Sequence, residues 1–116
     1  MRVMVYGSDR ITQRLTISLA RTGIEVVGTS DESRVIGMLI RERCGLAVVD
    51  SLMEEAKSTC RCIRELCDIR VVALLGREPK NWEHADLLEC DGFVCEGMGP
   101  IEIAARLKAV MRFRAS

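Results

Sequence analysis

Three carboxylates follow short apolar runs in the chain. Asp9 comes after Arg2-Val-Met-Val-Tyr6, Asp50 closes Leu46-Ala-Val-Val, and Glu96 comes after Gly92-Phe-Val-Cys95. A carboxylate at a strand end caps the next helix or accepts from nearby backbone N–H groups. If the three converge, they cluster acid around a cation. If Asp50 and Glu96 approach each other, one of them should titrate above its ordinary range. Cys44, Cys60, Cys62, Cys67, Cys90 and Cys95 are the thiols. Of these, Cys60, Cys62 and Cys67 form the only cluster to test as a metal site. Their spacings match no zinc pattern, and His84 is the only histidine, so helix packing is the expected role and no metal is expected. No cysteine–histidine pair sits at a spacing that suggests nucleophilic catalysis. Gly7-Ser-Asp-Arg-Ile-Thr12, with Asp31 further on, has one glycine where a dinucleotide fingerprint needs three, and Asp9 would face the pyrophosphate. A degenerate nucleotide-binding protein is therefore a minor alternative, and no catalytic residue set is predicted.

The elements that must position these residues alternate regularly. Arg2–Tyr6 reads as a buried strand stopping at Gly7. A helix is expected over about 9–22, with Ile11, Leu15 and Leu19 on one face and Gly23 at its carboxyl cap. Glu25–Thr29 is the second strand. Ser30 or Asp31 then caps a helix whose Val35, Ile36, Leu39 and Ile40 share a face and which Gly45 ends. Leu46–Asp50 is the third strand. A helix over about 54–67 turns Ala56, Cys60, Ile63 and Cys67 inward. Arg70–Leu75 is the most apolar strand and the expected centre of the sheet. A short helix is expected over about 81–89, then Gly92–Cys95 as the fifth strand. A last helix starts after Pro100 and carries Ile103, Leu107, Val110 and Met111. Five β-α units in strict alternation imply an α/β fold: a doubly wound five-stranded parallel sheet with helices on both faces. Its functional crevice is expected at the carboxyl ends of the strands.

The 116 residues suffice for one domain spanning 1–116. Lysine plus arginine and aspartate plus glutamate both number 17, so no overall field favours nucleic acid or an anionic membrane. The first ten residues lack a signal peptide's long apolar run, and no stretch approaches a membrane span, so a cytoplasmic location with reduced thiols is expected.

The ordered set Leu46-Ala-Val-Val-Asp50, Cys62-Ile-Arg-Glu-Leu66, Ile69-Arg-Val-Val-Ala-Leu-Leu75, Asp91-Gly-Phe-Val-Cys-Glu-Gly-Met-Gly-Pro100 and Ala105-Arg-Leu-Lys-Ala-Val-Met-Arg112 resembles response-regulator receiver domains of the OmpR/PhoB type. The resemblance covers essentially the whole chain, with shorter connections after the third strand and before the fifth. It implies a CheY-like, flavodoxin-like (βα)5 fold. In that family an aspartate ending the third strand is phosphorylated, and an acidic pair after the first strand binds Mg²⁺. A Ser/Thr after the fourth strand and a Lys after the fifth contact the phosphoryl group.

Asp50 falls on the acceptor position. The acidic pair falls on Gly7 and Ser8, with Asp9 next along; the Ser/Thr position holds Leu75, the Lys position Glu96, and the switching aromatic is Phe93. A carboxylate attacks a polyanionic donor poorly unless a metal and an ammonium neutralise the charge. The resemblance therefore implies a pseudo-receiver in which Asp50 is unphosphorylated and Mg²⁺ binding is doubtful. The alternative is a receiver still phosphorylated at Asp50. In receivers the face of helix four, strand five and helix five mediates dimerisation. Its counterpart here, about 81–111, carries Trp82, Glu83, His84, Asp86, Glu102, Arg106 and Lys108. A homodimer through this face is expected, although Trp82 fits a roof over the core as well as an interface anchor. The family also implies transcription regulation through a winged-helix output domain outside these 116 residues, so this domain itself is not expected to bind DNA.

Overall fold

Strands rich in valine and leucine are stable in parallel array only when both faces are covered. In the computed structural model of the chain, which describes residues 1–83 and 85–112 (Asn81 by its backbone only), five such strands form one parallel sheet. They are β1 (Arg2–Tyr6), β2 (Glu25–Thr29), β3 (Leu46–Asp50), β4 (Arg70–Leu75) and β5 (Gly92–Cys95), in the order β2-β1-β3-β4-β5. Register is continuous across the middle: Val5 pairs with Val48, Val48 with Val72, and Ala73 with Phe93. The expectation for His84 lies outside the described residues.

The centre of the sheet is β3, not β4. Every residue of β3 is buried, but Val71–Leu75 of β4 are buried as well. Apolarity alone thus cannot rank two inner strands.

Alternation along the strands sorts the core into two layers. Val3, Val5, Leu46, Val48, Val72 and Leu74 face α1 (Asp9–Leu19) and α4 (Pro100–Arg112). Met4, Tyr6, Ala47, Val49 and Val71 face α2 (Val35–Arg41) and α3 (Ala56–Leu66). The result is an α/β/α sandwich, as expected. No helix among the described residues is long and apolar enough to cross a membrane.

Helix α1 begins where Ser8 Oγ accepts from the Ile11 N–H at 3.2 Å. It ends three residues before the expected Thr22, whose N–H and hydroxyl instead both donate to the Leu19 carbonyl. Gly23 then takes φ +81°, a left-handed turn that favours glycine. Asp31 is the residue that caps the turn before α2, accepting from the Ser33 N–H at 3.0 Å.

Of the four residues expected to share the inner face of α2, Val35 and Leu39 are buried and Ile36 is half-buried, but Ile40 is 67% exposed. At about 100° per residue, position 40 lies roughly 120° from the arc centred between 35 and 39. Arg43, at φ +52°, rather than Gly45, makes the left-handed exit from α2. Helix α3 starts two residues later than expected and buries Thr59 along with Ala56, Cys60 and Ile63; Cys67 lies beyond its end, half-buried.

Among the described residues of 81–89 the expected α-helix does not form. Two 3-10 turns, Pro79–Trp82 and Ala85–Leu87, occupy that stretch. Neither offers an apolar row to the sheet, and Leu87 is 53% exposed, so packing cannot stabilise a longer helix.

Candidate functional site

The carboxyl ends of β1, β3, β4 and β5 converge on Asp50. Its residue is 7% exposed, and its Oδ1 accepts from the Leu52 N–H at 3.0 Å. The Ser51 N–H donates to the Leu74 carbonyl and the Met53 N–H to the Asp50 carbonyl, so the backbone on both sides is fixed. Burial pushes the Asp50 carboxyl above its ordinary value. The Leu52 N–H opposes this, the charge of Glu96 adds to it, and Arg10 opposes it. The raised titration expected of an Asp50–Glu96 pair is present, but its main cause is burial, not mutual repulsion.

Around Asp50 the first strand supplies no acid. A Cβ at Gly7 would stand 3.3 Å from Asp50 Cβ and 3.4 Å from Ile11 Cγ2, so the position is tightly occupied by its neighbours. Ser8 spends its hydroxyl on the cap of α1. Asp9 is exposed as the first residue of that helix. On the far side Leu75 is buried and Phe93 is 42% exposed.

Glu96 is where the site departs furthest from a simple deletion. Its side chain is 15% exposed, and its Oε1 lies 3.1 Å from Arg14 Nη1 and 3.8 Å from Arg10 Nη1. These two arginines sit one turn apart on α1. The loop after β5 thus carries the anion, and α1 carries the cations. Arg10 and Arg14 were not among the residues singled out from the sequence, although their i, i+4 spacing was visible.

The three carboxylates do not assemble into a cation cradle. No group of three or more His, Cys, Asp or Glu that could hold a metal occurs among the described residues. The donors present also fit poorly with the Mg²⁺ that receivers bind, because Gly7 and Ser8 offer no carboxylate beside that of Asp50. Cys60 is buried, its thiol pushed up to about 12 by burial; Cys62 is exposed and Cys67 half-buried.

Among the interface candidates, Trp82 is 37% exposed and donates its indole N–H to the Gly76 carbonyl at 2.7 Å, an oxygen that also accepts from the Cys95 thiol. It is therefore tied to the ends of β4 and β5 while keeping an open face. Glu83 and Asp86 are exposed. Glu102 pairs with Arg106 within α4 at 3.6 Å, both exposed. Lys108 turns the other way, donating to the Thr22 carbonyl at 2.8 Å. It lies roughly 160° around the helix from Arg106, and ties α4 to the turn that follows α1.

No protein-family model matches the chain, and no curated protein matches it. Solved structures do. The chain is similar to the BeF3-activated N-terminal receiver domain of Klebsiella pneumoniae RstA, at 20% identity and TM-score 0.80, covering 97% of this chain and 98% of that one. It is similar to the receiver domain of the TMAO respiratory system response regulator TorR, at 16% identity and TM-score 0.78, covering 95% of each. A response regulator from Chloroflexus aurantiacus aligns at 13% identity and TM-score 0.80, over 97% and 98% of the two chains. What these share with the chain is the fold: it is that of response-regulator receiver domains.

Proposed function

We propose that the chain is an atypical receiver: a signalling and interaction module that works without phosphotransfer to Asp50 and without a bound Mg²⁺. The observation that carries this reading is the ion pair of Glu96 with Arg14 and Arg10. A receiver needs a cation after its fifth strand to meet the incoming phosphoryl group. Here an anion occupies that place and is held there by α1. Repulsion between Glu96 and a phosphoryl group is large in a partly dry site, and neither Gly7 nor Ser8 brings a carboxylate that a metal could use.

Intact-protein mass spectrometry after incubation with acetyl phosphate and Mg²⁺, beside an Asp50→Asn control, tests the reading. No phospho-adduct is expected. An adduct lost in the control would return the protein to the phosphorelay class as a receiver with Asp50 as its acceptor.

Output is proposed to run through self-association of the segment from Trp82 to Arg106. Support comes from exposed Trp82, Leu87 and Phe93 and from the Glu102–Arg106 pair, whose charges suit a two-fold contact in which one patch meets itself. Phe93→Asp should shift sedimentation towards monomer. The RstA neighbour is an N-terminal receiver domain. That position is the support for a role in transcription regulation through a DNA-binding output domain.

A further inference from the structure

On the α1/α4 side of the sheet, beyond Glu96 from Asp50, lies a cavity of about 220 Å³. Leu15, Leu74 and Ile103 form its apolar lining and are 7%, 1% and 3% exposed. Arg14, Arg77 and Glu96 form its polar rim. Asp50 does not line it, so the cavity adjoins the phosphoryl position of receivers through Glu96 without including the acceptor.

The charge at the rim is uneven. Glu96 is shared by Arg14 and Arg10, while Arg77 has no carboxylate within 4 Å among the described residues. The rim thus carries two guanidiniums, Arg14 and Arg77, against the one carboxylate of Glu96, on a chain whose net charge is zero. A planar guanidinium fork takes a carboxylate through two parallel hydrogen bonds. The apolar lining would be left unmatched by a fully hydrated inorganic anion. The space is below the roughly 300–1,000 Å³ of sites for drug-sized ligands, so the occupant is small.

We propose that this cavity binds a small organic monocarboxylate, its carboxylate held by Arg77 with Arg14 and its apolar body against Leu15, Leu74 and Ile103. Such a ligand would sit against the loop from Glu96 to Pro100 that leads into α4, and would compete with Glu96 for Arg14. The ligand's contacts do not include Asp50.

The test is a ¹⁵N–¹H NMR titration of the full chain with benzoate, with benzamide as the uncharged isostere. Benzoate should give saturable shifts clustered at Leu15, Gly97 and Ile103, and benzamide should bind at least about tenfold more weakly, because the charge-assisted hydrogen bonds are lost. Arg77→Ala should weaken benzoate by about tenfold on the same ground. Glu96→Gln, which removes the competing anion, should tighten it. The spectrum of each variant reports its folding directly. No saturable clustered shift, equal binding of benzamide, or unchanged affinity in Arg77→Ala would each overturn the proposal.

Discussion

Glu96 Oε1 and Arg14 Nη1, 82 positions apart in sequence, lie 3.1 Å from each other at the carboxyl edge of the sheet. Arg10 stands behind the same oxygen at 3.8 Å. The pair ties the loop after β5 to α1 across the crevice where receivers hold their phosphoryl group. Glu96→Ala should cost about 0.5–1 kcal/mol in urea unfolding, since Arg14 and Arg10 are substantially exposed and solvent weakens such pairs. Glu96→Lys should cost more, because it sets a third cation against two, and its excess loss should shrink in high salt. It should not by itself permit labelling of Asp50, since Gly7 and Ser8 would still offer no metal ligand. Equal stability of wild type and Glu96→Lys at low salt would show that the ion pair is not formed in solution.

Gly28 on β2 meets Thr12 of α1 closely. A Cβ at 28 would fall 2.5 Å from Thr12 Cγ2, 2.6 Å from Thr12 Oγ1 and 3.0 Å from the Val5 carbonyl. Gly28→Ala should destabilise by about 1–3 kcal/mol through overpacking. Thr12 Oγ1 is buried without a hydrogen-bond partner, so Thr12→Ala alone should be close to neutral. The double variant should recover most of the Gly28→Ala loss, leaving only the Val5 contact. Additive losses in that double-mutant cycle would place the strain elsewhere.

The residues that made the fold legible are those whose signal is local. Ile11, Leu15 and Leu19 repeat every four positions, Gly23 sits where a left-handed exit is needed, and Pro100 opens α4. Asp50 could be placed at a strand end because a buried run stops on a charge. Non-local relationships were not readable in this way. Whether β3 or β4 is central depends on neighbours, so β4, the most apolar run, was expected at the centre that β3 occupies. The stretch 79–87 carries enough helix-compatible residues to suggest a helix, and only the lack of a buried face turns it into 3-10 turns. The counter-charge of Glu96 comes from α1, a pairing that neither segment's spacing encodes; asking what could neutralise an acid there would have pointed to Arg10 and Arg14.

The thiols should separate cleanly under alkylation. Cys62 is exposed, whereas Cys60 is fully buried with its thiol pushed up to about 12, chiefly by burial. Burial raises Cys44 likewise. The thiolate is the reacting species, so in the native state Cys62 should be modified by maleimide long before Cys60 or Cys44. Both buried thiols should become reactive only on unfolding. Peptide mapping by mass spectrometry reads the order, and early labelling of Cys60 would contradict the packing of α3 against the sheet.

Asp50 gives the clearest pH signature. Its folded carboxyl lies above the ordinary value of 3.8, principally because it is buried. Well below that value the carboxyl is protonated in both the folded and the unfolded chain, and Asp50 has no effect on the pH slope. As pH rises past 3.8 the unfolded chain releases its proton first. Stability is then lost progressively until the folded carboxyl also ionises, after which the penalty is constant. Asp50→Asn keeps an oxygen to accept from the Leu52 N–H and removes the buried charge. It should therefore unfold at higher urea than the wild type near pH 7, with the advantage fading near pH 3. A loss of stability in Asp50→Asn at neutral pH would mean that the carboxylate is held by an attraction stronger than its desolvation. Stabilisation of the wild type but not of Asp50→Asn by added Mg²⁺ would identify that attraction as a bound cation, and the case for a site that works without metal would fail with it.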